Sequence, residues 1–420
     1  MAGNSYLSIS MITKETLRVL GNNMKFVGTV NRQFDDRFGI EGAKIGQTLN
    51  IRKPNRFTTT LGPGLVIQDI VEQSVPVILT SQRHVDFQFT SKDRLLNIDM
   101  FSERLIKPAA NALLNQIDTD GLALVNSTVY QAVGTPGTTP NTALLYLQAG
   151  QKLNEAAAPL EDRSAVINAA ATASSVDALK ALYNPQVVIS EQYKKGMLAK
   201  DTLGFDFYMD QNVASYQVGV QGGSGVTNGA NQIGQSIVTN GWTASVTNLL
   251  RAGDIITFSG VYACNPVSFL STGSLKQFLV TANCNSDSGG NCTIPILGGT
   301  GLGVVASGPF QNICNSASAP LAGIPNASAI TVLGAANTVS PSNISYHKDA
   351  FVFACANLPV PQGVDLGQMT EAAGANDVTN GLSLRIVRAY DITNDLFPCR
   401  IDTLYGWATM YAELACRIQG

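Results

Sequence analysis

The sequence predicts an α+β fold for this chain of 420 residues, from three observations. Residues 99–134 carry the three- and four-residue apolar period of one long helix. Alternating apolar runs lie on either side of it, at 47–56, 65–90, 382–392 and 399–418. From about residue 220 to about residue 345 the chain turns to Gly, Asn, Ser and Thr with short strand signals and no helix of useful length. A chain this long exceeds one small core, so two or three domains are expected.

Residues 1–45 begin with small polar side chains, after which Ile12, Thr16, Leu17, Leu20, Met24 and Val27 mark a short amphipathic helix interrupted at Gly21. With too little apolar surface for its own core, this segment reads as an arm that packs on something else. Residues 46–92 read as a long hairpin. Leu49 and Ile51 alternate into Arg52, Lys53 and Arg56; Gly62-Pro63-Gly64 turns the chain; Val75, Val77 and Leu79 return in period two. The three cations give the outer part a basic end, either a solvated tip or one that reaches an acidic neighbouring subunit. Arg52, Lys53 and Arg56 are therefore the candidate contact residues.

Residues 93–140 are built on the long helix. Phe101, Leu105, Ala109, Leu113, Ile117 and Val125 share its apolar face, with Glu103, Lys107, Asn111, Asn115, Asp118 and Asp120 mostly between them. Asp99 is the candidate N-cap and Glu103 suits the first turn. Pro108 should kink or restart the helix, and Gly134 and Pro136 should stop it. At about 1.5 Å per residue the rod would be roughly 50 Å long, a strut rather than an enzyme element.

Residues 141–220 mix predicted helices (142–157, 174–183, 190–198) with strands (165–171, 187–189), a compact α/β-type domain. Ser174 or Ser175 should cap the second of these helices. Residues 219–241, poor in large apolar side chains, read as a linker or mobile loop. The strands that follow, at 255–258, 278–281, 293–297 and 329–333, predict a small antiparallel barrel or sandwich inserted into the host domain. Residues 346–420 resume the earlier style. Their final run carries large side chains on both faces, so it should be covered on both sides.

Only 14% of residues are charged while 45% are hydrophobic. That balance suits an ordered protein that hides much of its surface, against copies of itself among other options. A formal charge of −3 argues against an overall electrostatic grip on nucleic acid. No secretion signal and no run near the ~18 apolar residues of a membrane span is visible, which predicts a soluble cytoplasmic product. The seven cysteines read as free packed thiols, with a local Cys284–Cys292 bridge as the alternative. No CxxC occurs and neither His84 nor His347 is near the cysteine-rich segment in sequence, so no zinc site is expected.

Catalytic constellations are lacking. Residues 222–225 and 298–303 lack the Gly-Lys-Ser/Thr that completes a phosphate loop, and no nucleophile elbow or His-Glu-x-x-His helix occurs. Both histidines lie in strand-like surroundings that favour structural roles. Asp118 and Asp120 diverge by about 200° around the helix and cannot share a proton. No catalytic, cofactor-binding or metal residue is assigned.

His84-Val85-Asp86-Phe87-Gln88-Phe89-Thr90, then Asp99-Met100-Phe101-Ser102-Glu103-Arg104, then Lys107-Pro108-Ala109, resembles the major capsid proteins of tailed double-stranded-DNA phages. Arg251-Ala252-Gly253-Asp254-Ile255, Ser259-Gly260-Val261-Tyr262, Asn265-Pro266-Val267 and Gln277-Phe278-Leu279-Val280-Thr281 resemble the insertion domain of the short-tailed Salmonella-phage coat proteins. His347-Lys348-Asp349-Ala350 resembles the exit from it.

The resemblance implies a Hong-Kong-97-type capsid fold with an N-terminal arm (1–45), an extended hairpin loop and peripheral strands (46–92) and a long spine helix (93–140). It further implies an axial domain (141–220), an inserted small antiparallel β-barrel domain (221–345), and the rest of the axial and peripheral domains (346–420). It implies that the chain assembles with itself, as hexamers and pentamers, into an icosahedral shell that encloses DNA without sequence-specific binding. A scaffolding protein, a portal and in some cases a decoration protein would be partners. Some relatives weld the shell through a lysine–asparagine bond; Lys53 lies in the corresponding loop without a supporting motif, and non-covalent closure is expected. The competing reading is a secreted β-rich surface or adhesion layer, suggested by the Gly/Asn/Thr-rich middle.

Overall fold

The computed structural model describes residues 25–32, 48–70, 72–90, 107–179, 202–299, 301–356, 358, 370–377 and 382–420. The predicted N-cap Asp99, most of the arm, the 187–189 strand and the 190–198 helix lie outside them. The chain divides into two compact units. One comprises 1–51, 75–121 and 352–408; the other comprises 52–74, 122–351 and 409–420.

The first unit is organised on Leu396–Thr409, a strand of 14 residues. Ser81–Thr90 pairs antiparallel along one edge for ten positions, from Thr90 opposite Leu396 to Ser81 opposite Tyr405. Leu382–Ala389 pairs with it through Arg385 opposite Asp402, and Thr370–Asp377 extends that side; Phe351–Ala356 joins the same sheet. The long helix supplies the covering layer. Gly121 is required there, because a Cβ would lie 2.6 Å from the Trp407 ring. Trp407 is itself sandwiched by Phe26 at 5.2 Å and Phe353 at 4.9 Å. Asp118 accepts from the Val27 backbone N–H at 3.3 Å, while Asp120 accepts from Tyr405 Oη at 2.6 Å and from Arg83 at 3.1 Å. The two carboxylates thus serve separate partners.

The helix runs over Lys107–Thr128 in the described residues, not to residue 134. Its expected last turns are replaced by a strand, Ala132–Gly134, parallel to Ala415–Gln419. Gly134, at φ +87°, lies so close to the Gln419 carbonyl that a side chain has no room. Strand pairing with the C-terminus therefore outcompetes helix continuation.

In the second unit that pair begins a five-stranded sheet continued by Asn343–His347, Arg163–Ile167 and Asp206–Met209. The three middle strands are buried at every position, which is the coverage on both faces predicted for the final run. That run is not continuous: a 3₁₀ turn at Ala412–Leu414 divides it into two strands of different sheets. Ala143–Glu155 and Ala169–Leu179 pack on this sheet through Tyr146, Ala149, Leu153 and Ala171, against Phe205, Phe207 and Ile418. Ala169–Leu179 starts earlier than the serines suggested. Asn168, not Ser174 or Ser175, caps it, accepting from Ala171 N–H at 2.8 Å.

Ser215–Gln217 and Val339–Pro341 pair as a short two-stranded neck. Between them the chain forms a seven-stranded sheet. Ile255–Cys264, Ser271–Val280, Cys292–Leu297, Ser236–Trp242 and Gly223–Thr227 follow in antiparallel order, with Ile313–Cys314 and Ile330–Val332 beside Ile255–Cys264. Val226 bridges Ala329 and Thr227 N–H donates to Ser328 O at 3.1 Å, so the two ends of the sheet meet. Residues 219–241 are therefore not a linker. Glycine serves there as a seat for a ring, since a Cβ on Gly225 would fall 2.1 Å from Trp242. Among the described residues all seven cysteines are free; the Cys284 thiol donates to the Ala282 carbonyl at 3.2 Å, and no bridge joins it to Cys292.

Candidate assembly site

Thr48–Arg52 and Ser74–Ile78 form a two-stranded ladder, and Lys53 N–H donates to Gln73 O at 2.8 Å just beyond it. The loop they carry is held across its middle by one side-chain clasp. Thr58 N–H and Oγ1 donate to Gln68 Oε1 at 2.9 and 3.1 Å, and Gln68 Nε2 donates back to Thr58 O. Phe57, Leu61, Leu65, Val66, Ile67 and Ile70 all face solvent, with Leu61, Leu65 and Ile67 at 107, 89 and 84% exposure. Six large apolar side chains in fourteen residues form a patch of the kind that marks an interaction site.

The candidate cations sit at the root of this loop, not at its outer end. Arg52 ends the first strand, 80% exposed, and its nearest ion partner is Glu72 at 3.8 Å. Lys53 stands 4.8 Å over the Tyr411 ring, and burial lowers its pKa. Arg56 pairs with Glu413 at 3.1 Å and lies 5.5 Å over Phe310. Lys53 and Arg56 thus anchor the loop within their own chain, and Arg52 is left outward.

Behind the root lies a cavity of about 90 Å³ lined by Lys53, Arg56, Tyr130, Lys152, Lys276 and Glu413 among others. Lys276 is 6% exposed and its Nζ is 4.3 Å from the Tyr130 ring centroid. Burial pulls its pKa down to about 8, opposed by Glu413. Its neighbour Gln277 fixes the strand by a double amide clasp, accepting from Ala132 N–H and donating to Ala132 O, both at 2.9 Å. Sequence reasoning missed both Lys276 and the apolar loop. The one available signal was a Gly-Pro-Gly turn flanked by aliphatics that fit no period.

His347 Nδ1 accepts from Asp349 N–H at 3.2 Å and burial lowers its pKa, while His84 pairs with Asp86 at 3.1 Å. Among the described residues no group of three or more His, Cys, Asp or Glu could hold a metal, and no helix is long and apolar enough to cross a membrane.

Residues 50–417 match the family model described as P22 coat protein - gene protein 5. No curated protein matches the chain in sequence. Among solved structures, the chain is similar to one from Mycobacterium phage Che8, at 11% identity over 99% of this chain and 93% of that one, with a TM-score of 0.42. It is also similar to the mature capsid asymmetric unit of bacteriophage PhiM1, at 10% identity over 94% and 87%, with a TM-score of 0.44. A third is the capsid of cyanophage P-SCSP1u, at 11% identity over 89% and 83%, with a TM-score of 0.41. Superposition at that level is loose, so the assignment stands on the family match, which also favours the shell over the surface-layer alternative. The chain belongs to the P22 coat protein family and is a structural protein of a phage capsid shell.

Proposed function

We propose that the chain is the repeating tile of an icosahedral shell, and that the loop at residues 53–73 is its handhold on the next subunit. The exposed apolar patch on that loop carries the reading. Six aliphatic and aromatic side chains left in water are a cost that a neighbouring copy would relieve. Many such contacts closed around rings of hexamers and pentamers then hold a lattice that no single contact could.

Within this reading the fold is of the Hong-Kong-97 type. The Lys107–Thr128 helix is its spine, the hairpin its extended loop, and the seven-stranded sheet its inserted barrel domain. The paired neck supports the insertion, because the chain enters and leaves it side by side. Lys53 and Arg56 aim the loop, and Arg52 offers its charge to an acidic neighbour. Assembly would take place in the host cytoplasm around a scaffolding protein, with a portal for DNA entry and a decoration protein as an optional outer partner.

Electron microscopy of the purified full-length protein over a concentration series tests the reading. Closed, uniformly curved shells are expected. Flat sheets, fibres or discrete small particles at every concentration would refute it.

A further inference from the structure

Within the seven-stranded sheet, Ser271–Val280 and Cys292–Leu297 set Leu279 opposite Leu297 and Val280 opposite Ile296. One step further on, Thr281 N–H donates to Pro295 O at 3.0 Å. A tight turn closes the other end, where Asp287 N–H donates to Asn291 O at 2.9 Å and Gly290 N–H to Asp287 O at 3.1 Å. Between these two pins, the ladder's register carried towards the turn brings Cys284 opposite Cys292. Both side chains point inward. They are 5 and 4% exposed and share the core of Ile237, Trp242 and Ile294, while Asn283, Asn285, Asn291 and Thr293 on either side of them are exposed. Each thiol is also the largest influence on the other: Cys292 raises the pKa of Cys284, and Cys284 lowers that of Cys292. Register, burial and mutual influence agree that the two sulfurs are neighbours.

Opposed strand positions hold their Cα atoms about 4.5–5.5 Å apart, within the roughly 4.4–6.8 Å that a disulfide spans. We propose that Cys284 and Cys292 are a reversible dithiol site, which closes to one intramolecular disulfide when the chain meets an oxidant of the glutathione-disulfide class. Cys292, the more acidic member, supplies the attacking thiolate. It bonds to one sulfur of the oxidant and expels a glutathione thiolate. Cys284 then gives up its proton and attacks Cys292 Sγ, expelling the second glutathione thiolate. Two electrons thus pass from the cysteine pair to the oxidant, and its two thiolates take up the two thiol protons. Asp287, Ser288 and Gly289 are exposed, so the turn above the pair is the route by which the oxidant enters. The bond fastens that turn to the core of the sheet. The free thiols of the structure and the bridge offered by the sequence are then two states of one site. A chain folded under reducing conditions gains the bond on passing to an oxidising medium.

Full-length protein purified in excess reductant is dialysed into glutathione disulfide at mildly alkaline pH, then denatured, alkylated and mapped by mass spectrometry. Because both sulfurs are buried, the dialysis is repeated in urea below the unfolding transition, which lets the turn open while the sheet stays folded. Two alkylatable thiols per chain, those of Cys284 and Cys292, are expected to be lost and to return with dithiothreitol. Cleavage before Asp287 separates the two cysteines, so the oxidised site should appear as joined fragments in which neither carries the alkyl label. Both cysteines alkylated under both conditions, or stable glutathione adducts in place of the joined pair, overturn the site. Cys284→Ser should hold one glutathione on Cys292, and Cys292→Ser should hold far less on Cys284; the reverse overturns the order of attack. The wild type alone decides the bridge should either variant fail to fold.

Discussion

Replacing Leu61, Leu65 and Ile67 together by serine separates assembly from folding. In the single chain these side chains are 84–107% exposed, so their loss removes almost no buried contact. The monomer's stability should stay within about 0.5 kcal/mol of wild type. Full burial of three such side chains on a neighbour is worth about 1.5–3 kcal/mol each, so about 4–9 kcal/mol per loop at most. Ordering of the loop and imperfect burial consume part of that; with about half surviving, roughly 2–4 kcal/mol per contact is at stake. At about 1.4 kcal/mol per tenfold, each contact weakens by a factor of about 30 to 700. Light scattering against concentration, with electron microscopy of the endpoints and thermal melts of the unassembled protein, reads both quantities. Particle formation at the wild-type concentration would refute the handhold, and a melting temperature lowered by many degrees would refute the exposure on which the reasoning rests.

Gly225→Ala forces the Trp242 ring to move from 2.1 Å and should cost about 1–3 kcal/mol in urea unfolding, with a red shift in tryptophan emission. Asp254 is fully buried, and burial raises its pKa to about 6, against hydrogen bonds from Arg251 and Gly219 N–H and the nearby Arg417 charge. The folded state therefore holds its proton more tightly than the unfolded one. This group favours folding below about pH 4 and loses that contribution, about 3 kcal/mol, as pH rises to about 6. Asp254→Asn should flatten that part of a stability–pH curve, and an unchanged slope would remove Asp254 as its source. Asp402, also fully buried, accepts from Arg385 at 2.6 Å and Arg400 at 3.1 Å. Asp402→Ala should cost about 3 kcal/mol or more by calorimetry, because it breaks the pair of a fully buried carboxylate with Arg385 together with its contacts to Arg400 and Gln82. Deleting residues 219–337 while keeping the neck strands should leave a soluble folded host by circular dichroism and gel filtration. Among the described residues the core around Tyr146, Leu153, Phe207 and Ile418 takes no side chain from the deleted part, while Tyr130, Ala132 and Ala412 lose only Ile255 and Leu279, with Leu297 and Leu333 at the margin. Complete loss of soluble protein would make the sheet integral to the host.

Periodicity carried the parts of the fold where one face is buried and the other wet. The helix body at Leu113, Ile117 and Val125, and the alternation of Leu49 with Ile51, are of that kind. It failed where a distant partner decides. Val129 to Gly134 leaves the helix because the C-terminal strand is there to pair with, and nothing local to residue 134 encodes Gln419. The glycines of 219–241 read as looseness because composition does not reveal that Trp242 is the ring one of them must admit. Ser174 looked like a cap, yet Asn168 reaches the free N–H first, at the close of a buried strand. For the site, the basic group was legible as charge but not as position. Two of its three members turn inward because Glu413, Tyr411 and Phe310 meet them there. Lys276 escaped notice since an alternating strand assigns a lysine to the wet face, and only the stacked Tyr130 shows it points inward.

The neck has an evolutionary corollary. Antiparallel strands hold opposed backbones about 4.5–5.5 Å apart, so the host presents two chain ends at one fixed spacing whatever lies between them. Any module whose own termini sit a strand's width apart would fit that socket without disturbing the scaffold beneath. Recombination could thus exchange what lies beyond the neck as one piece, while the strands beneath it stay unaltered.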